Sequence, residues 1–245
     1  SPDGKKLAFI SPCTSRKDAY EGAKIYILDV DAGTEPAQLP LPPSPASDYD
    51  PAWSPDGNRL AFTSTRSGNG DIYVYNFSEN TLQQLTVSQF TENYPAWSPT
   101  GSQIAFTRDI VYSQIWIMSD NGQFQTRYAI SGEVNDVWPV WSPDSSMVLF
   151  SEMSADAEVP SLYGLQYEDR NSQKTFRIPA KGQPDVGPVA QPSISPDGNW
   201  IAFEGWPEGL NHDIYIMTIN GNNRIRLTTD KDFDFGPAWR PVVTP

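Results

Sequence analysis

The sequence has one cysteine, Cys13, and one histidine, His212, in 245 residues. A lone cysteine excludes an intrachain disulfide. The pair also excludes a zinc site built from Cys and His. Without a second histidine or a Gly-x-Ser-x-Gly elbow, no familiar nucleophile constellation can be drawn. Basic residues are scarce: 17 Lys and Arg face 30 Asp and Glu, for a net charge of −13. That balance disfavours nucleic acid and anionic membranes, whose phosphates need cations. No apolar run approaches a membrane span, so no membrane insertion is expected. No Gly-rich phosphate loop or dinucleotide fingerprint is found. No stretch of helical period carries capping signals. The chain opens inside a repeat, so no leader is visible.

What is present is a repeat. Pro51-Ala52-Trp53-Ser54-Pro55-Asp56-Gly57 returns as Pro95-Ala96-Trp97-Ser98-Pro99-Thr100-Gly101 and as Pro139-Val140-Trp141-Ser142-Pro143-Asp144-Ser145. A looser copy is Pro192-Ser193-Ile194-Ser195-Pro196-Asp197-Gly198. The chain opens on the second half, Ser1-Pro2-Asp3-Gly4, and ends on the first, Pro237-Ala238-Trp239-Arg240. The second proline recurs at 2, 55, 99, 143, 196 and 241, in steps of 53, 44, 44, 53 and 45. Periods of this size mark solenoids, propellers or arrays.

Each unit reads as four strands, A to D. Pro-Ala-Trp is strand A. Ser-Pro-Asp-Gly closes it, because Pro presets φ, Asp bonds the backbone ahead and Gly takes positive φ. Leu60-Ala61-Phe62 is strand B and Ile72-Tyr73-Val74 strand C, β-branched and aromatic. A polar strand D ends on Leu85-Thr86. In the fourth unit strand D falls within Lys174 to Ile178, and Ser145 stands where the turn glycine should be. Four strands per unit of this length predict an all-β propeller. The blades are 1–50 with 237–240, 51–94, 95–138, 139–191 and 192–236, within one domain over 1–245. Strand A of the first blade is expected from residues 237–240, closing five blades through the termini; six or seven blades with earlier ones missing is the alternative. The recurring Trp53, Trp97, Trp141 and Trp239, with Phe9, Phe62, Phe106, Phe150 and Phe203, are expected to fill the spaces between blades.

Pro-x-Trp-Ser-Pro-Asp-Gly, then Ile/Leu-Ala-Phe, then Asp-Ile-Tyr, then Leu-Thr, resembles the TolB-type, WD40-like β-propeller repeat over nearly the whole chain. The resemblance implies a propeller that binds other proteins, and a periplasmic or extracellular location before a cytoplasmic one. The additional N-terminal domain of TolB and its six blades are not seen here.

In an antiparallel A-B-C-D meander the B–C and D–A loops share one face, and they hold the length variation: 11–23, 40–50, 153–160, 180–191 and 205–212. Insertions in repeat proteins collect on the binding face. Tyr20, Tyr112 and Trp206 are candidate anchors there. Three residues before the strand-A proline stand Asp48, Glu92, Asp136, Val189 and Asp234. Asp48, Glu92, Asp136 and Asp234 are expected to converge at a channel mouth, with a gap at Val189. They are candidate ligands for a basic peptide, or for a metal such as calcium. The local alternative is that each carboxylate caps backbone groups of its own loop. Arg66 is expected to pair with Asp71 across its hairpin.

The residues thus point to a non-catalytic, monomeric scaffold without cofactor, binding a protein or basic peptide. Two alternatives stand beside it: an accessory or sensor propeller of a larger hydrolase or receptor, and a five-bladed glycosidase using the mouth carboxylates. Equivalent repeat positions argue against the distinct acid and nucleophile that a glycosidase needs.

Overall fold

The computed structural model describes residues 1–12, 20–129, 132–154, 159–167, 175–179, 187–207, 209 and 211–241. Cys13, Lys174, Glu208, Leu210 and much of the loops 11–23, 153–160 and 180–191 lie outside the described residues. The described elements are all strands. β1 (Lys6–Ser11), β2 (Lys24–Asp29) and β3 (Ala37–Gln38) form the first sheet. β4 (Asp48–Trp53), β5 (Arg59–Ser64), β6 (Asp71–Asn76) and β7 (Thr81–Gln84) form the second. β8 (Thr91–Trp97), β9 (Gln103–Asp109), β10 (Ser113–Ser119) and β11 (Thr126–Arg127) form the third. The fourth holds β12 (Val134–Trp141), β13 (Met147–Ser154), β14 (Ser161–Gln166) and β15 (Phe176–Ile178). The fifth holds β16 (Ala190–Ile194), β17 (Trp200–Gly205), β18 (Asp213–Thr218) and β19 (Ile225–Arg226). Each sheet is antiparallel with neighbours in chain order, and the fold is a five-bladed β-propeller.

The repeated words of the sequence each have a mechanical reason. In the turn, the Ser54 hydroxyl accepts the Arg59 N–H at 2.9 Å and Asp56 accepts the Asn58 N–H at 3.0 Å. Ser142 with Asp144, and Ser195 with Asp197, repeat the arrangement. Gly57 takes φ 69°, and Ser145 adopts φ 61° in the place of a glycine. In the pairing of Asp-Ile-Tyr with Leu-Thr, the Thr86 hydroxyl accepts the Ile72 N–H at 2.8 Å and donates to Asp71 at 3.0 Å. Thr228 accepts the Ile214 N–H in the same way at 2.9 Å. The threonine closes the polar end of strand C, where the ladder with strand D stops.

Packing divides the chain into two units, residues 1–110, 117–126 and 240–245 in one, and 111–116 and 127–239 in the other. In the first, Phe62, Leu60, Tyr73 and Tyr75 pack with Ile25 and Leu39 of the preceding blade. In the second, Phe203, Ile201, Tyr215 and Met217 pack with Leu149, Leu162, Ile178 and Val189. Phe62, Phe106, Phe150 and Phe203 are all 0% exposed, whereas Phe9 is half-buried. Each buried ring contributes about 1.5–3 kcal/mol. Val189, which stands where the other repeats carry a carboxylate, is itself core.

Two expectations are corrected. Residues 237–240 form no strand, and the first sheet has three strands rather than four. Within the first unit the end of the chain is held instead by Arg240, whose Nε donates to Gly4 O at 2.9 Å and whose Nη2 pairs with Asp31 at 2.9 Å. Strand A is also longer than the apolar word Pro-Ala-Trp. β4, β8 and β12 begin at or up to two residues before the carboxylate position, and β16 begins one residue after Val189. Each crosses a β-bulge: register shifts fall at Tyr49/Ala52, Asn93/Ala96, Val137/Val140 and Ala190/Ser193. The residue before each proline is left-handed there, with φ 52° at Asp50, 53° at Tyr94, 55° at Trp138 and 48° at Gln191. In the last repeat the same position is Gly236, φ 62°, the residue this bulge most readily accepts.

Candidate functional site

Asp48, Glu92 and Asp136 lie near the starts of β4, β8 and β12, and Asp234 lies outside any strand. One backbone role recurs at four of the five equivalent positions. Asp48 N–H donates to Ala23 O at 2.9 Å and Glu92 N–H to Gly70 O at 2.8 Å. In the second unit Val189 N–H reaches Pro160 O at 2.9 Å and Asp234 N–H reaches His212 O at 2.9 Å. In these four the acceptor is the residue just before strand C of the preceding blade, so the position stitches one blade to the next. Valine does it as well as aspartate, so the carboxylates serve something further.

In the first unit that something is an ion pair. Asp48 is 1% exposed and accepts from the Ser64 hydroxyl at 2.6 Å. Arg66 clamps it with Nη2 at 2.9 Å and Nε at 3.2 Å, and Lys24 stands at 3.7 Å. Arg66 therefore belongs to Asp48, and the expected pair with Asp71 is not formed. Asp71 bonds to Ser67 and Thr86 instead. Glu92, 0% exposed, accepts from Ser88 at 2.6 Å and from Arg108 Nε at 2.7 Å. Burial pushes its carboxyl above the ordinary value; Ser88 and Arg108 oppose the push and the Asp71 carboxyl adds to it. Each acid thus has its own cation. A ligand set for a metal needs free oxygens, and among the described residues no group of three or more His, Cys, Asp or Glu is arranged to hold an ion.

Asp50, beside Asp48, occupies the bulge. Its carboxylate accepts from the Thr63 hydroxyl at 3.2 Å and from the Tyr94 N–H at 3.3 Å. Burial raises it to about 7, against the pull of those two hydrogen bonds. Tyr20 stacks on Tyr49, the residue after Asp48, at 4.4 Å with the rings 9° apart.

In the second unit, Asp136 is 1% exposed and lies opposite Glu152 in the strand register. Burial raises the Glu152 carboxyl, opposed by a hydrogen bond from Tyr163 and by Arg177. Tyr112 is half-buried just before β10. Trp206 and Asp234, predicted separately, meet through His212. Trp206 stacks on the His212 ring at 4.2 Å, and Asp234 bonds to the His212 carbonyl. Sequence reasoning gave Arg66 the wrong partner and missed Arg108 and Glu204. Their signal was weak: they stand four, two and one residues after Phe62, Phe106 and Phe203, at no common position of the repeat.

A family model described as the TolB beta propeller domain matches residues 1–184. The chain belongs to the TolB beta propeller domain family. Among solved structures, TolB from Acinetobacter baumannii superposes with a TM-score of 0.75 at 23% identity, over 98% of this chain and 56% of that one. A putative TolB from Agrobacterium tumefaciens gives a TM-score of 0.76 at 21% identity, over 92% of this chain and 77% of that one. At these identities the likeness speaks for the TolB propeller fold alone. The uncharacterized peptidase YuxL of Bacillus subtilis (strain 168) is 32% identical over 88 residues, 35% of this chain and 13% of that protein. The TolB-family chain thus spans just over half of the Acinetobacter structure and a small part of the peptidase. Among the described residues no helix is long and apolar enough to cross a membrane.

Proposed function

We propose that this TolB-family propeller is a non-catalytic interaction module that binds a protein or peptide on the face carrying its B–C and D–A loops. One observation carries the reading: in each unit a half-buried loop aromatic stacks on a ring close in the chain or by hydrogen bond to a carboxylate position. These are Tyr20 on Tyr49, the residue after Asp48, and Trp206 on His212, whose carbonyl accepts the Asp234 N–H. Aromatic anchors flanked by charge are the usual composition of a protein-binding patch. The opposite turns are short and spent on their own hydrogen bonds. Affinity capture with the intact chain tests this. A captured partner should be lost with Tyr20→Ala or Trp206→Ala and kept with Phe124→Ala, which alters an exposed C–D turn. Equal loss from both faces would refute the assignment.

A second reading is favoured by the match to a peptidase. The propeller would then be the accessory domain of a larger hydrolase. The gene's full reading frame and a peptide-hydrolysis assay of its product decide between them, with the isolated propeller expected to be inactive. Hydrolysis of aryl glycosides that is abolished by Asp136→Asn would overturn both. The TolB relationship favours a periplasmic or extracellular setting for either.

A further inference from the structure

The fifth blade departs from the repeat at one spot. The residue after the strand-B phenylalanine is Ile10 in the first blade, a hydroxyl in the next three, Thr63, Thr107 and Ser151, and the ionisable Glu204 in the fifth. Glu204 is 7% exposed, and its Oε1 meets Nδ1 of His212. Burial pushes this carboxyl up and His212 opposes the push. The imidazole held in this way is a shelf. Trp206 lies flat on it, 11° from parallel, and Phe233 meets it edge-on at 5.2 Å. Two hydrogen bonds tie the B–C loop to the segment after β19: Asp234 N–H to His212 O at 2.9 Å, and Asn211 Nδ2 to Asp230 O at 3.0 Å. Three separate segments therefore meet in one fixed patch.

The patch has the wrong chemistry for a finished core. Phe233 and Phe235 are 37% and 45% exposed, and Trp206 is half-buried. Between the two phenylalanines, Asp234 holds a buried Oδ2 that has no hydrogen-bond partner. Asp230 and Asp232 are exposed beside it. Of the cations nearby, Arg226 is engaged with Asp213 at 2.7 Å, and Lys231 is exposed. A buried carboxylate oxygen without a donor is costly, and aromatic faces attract cations. An anion would meet four carboxylates here. Among the described residues no group of three or more His, Cys, Asp or Glu is arranged to hold a metal.

We propose that Trp206, Phe233 and Asp234 form a subsite for a cationic side chain, the guanidinium or ammonium of an Arg or Lys on the bound peptide. Glu204 and His212 are positioning residues that hold Trp206 in place. The inference rests on the protein-binding reading and names the chemistry that reading requires in this blade.

The test is an NMR titration of the ¹⁵N-labelled full chain with N-acetyl-argininamide, using the neutral isostere N-acetyl-citrullinamide as control. The Trp206 indole signal, assigned with Trp206→Phe, should move saturably with the arginine probe and stay still with citrulline. Asp234→Asn should weaken the arginine response about fivefold or more, and added salt should weaken it in the wild type. Glu204→Gln should blunt the Trp206 shift while leaving the other indoles in place. An equal response to citrulline, or an undiminished one in Asp234→Asn, overturns the proposal. If a captured partner binds Trp206→Phe and Asp234→Asn at full strength, this subsite is wrong while the interaction reading stands. If no partner is captured yet the titration succeeds, the subsite stands and the broader reading fails.

Discussion

Replacing Arg66 with methionine should destabilise the protein through the acid it leaves behind. Asp48 is 1% exposed and Arg66 only 12% in its side chain, so the charge that stays is the more deeply buried of the two. Removing one partner of a buried pair costs about 3–5 kcal/mol. Ser64 at 2.6 Å still donates and Lys24 at 3.7 Å still compensates in part, which places Arg66→Met near the lower end, about 3 kcal/mol. In a chain of this length each kcal/mol moves Tm by about 2–4 °C, so melting followed by circular dichroism at pH 7 should fall by about 6–12 °C. Asp48→Asn combined with Arg66→Met removes the orphaned charge and should recover most of the loss. A drop below about 2 °C, or a double variant no better than the single one, would show that the pair is not what satisfies Asp48.

Asp50→Asn should show a pH-dependent gain. The folded carboxyl titrates at about 7, above its unfolded value, so its contribution is fully present in acid and lost as pH rises through 7. The variant should therefore melt about 8–16 °C above wild type at pH 8 and nearly with it at pH 4; a gain that does not change with pH would contradict this. Gly122→Ala should cost about 2–3 kcal/mol, because φ is 84° and the new methyl would stand 2.6 Å from Leu85 O; unchanged urea midpoints would refute it. Ser145→Gly relieves a left-handed serine at φ 61° and should stabilise by about 0.5–1 kcal/mol in the same assay. Millimolar calcium should leave Tm unchanged, since Arg66 and Arg108 already neutralise Asp48 and Glu92; a clear upward shift would restore the metal reading.

The repeat was legible because its words are local. Ser-Pro-Asp-Gly folds on hydrogen bonds within five residues, and the Leu-Thr word reaches back only to strand C of its own blade. Strand positions and the buried phenylalanines followed from those words. The partners of the carboxylates did not, because Arg66 and Arg108 occupy positions where the repeat has no consensus. The bulges were hidden for another reason. Proline discourages right-handed backbone in the residue before it, yet Asp50, Tyr94, Trp138 and Gln191 look nothing alike. Only Gly236 betrayed what that position demands. The last strand failed as an inference because Pro237-Ala238-Trp239 has the right word without the ladder that its copies make.

That bulge position has a use beyond strand geometry. Five places share one backbone conformation and carry aspartate, tyrosine, tryptophan, glutamine and glycine. The main chain has therefore accepted acidic, aromatic, amide and absent side chains at the same strained φ without surrendering the blade. Strain of this kind is charged to the backbone once and is nearly blind to what hangs from it. Such sites behave as interchangeable sockets. A library built at residues 50, 94, 138 and 191 would diversify chemistry at equivalent places on the four bulged strands, with far less risk to folding than the same substitutions one residue to either side.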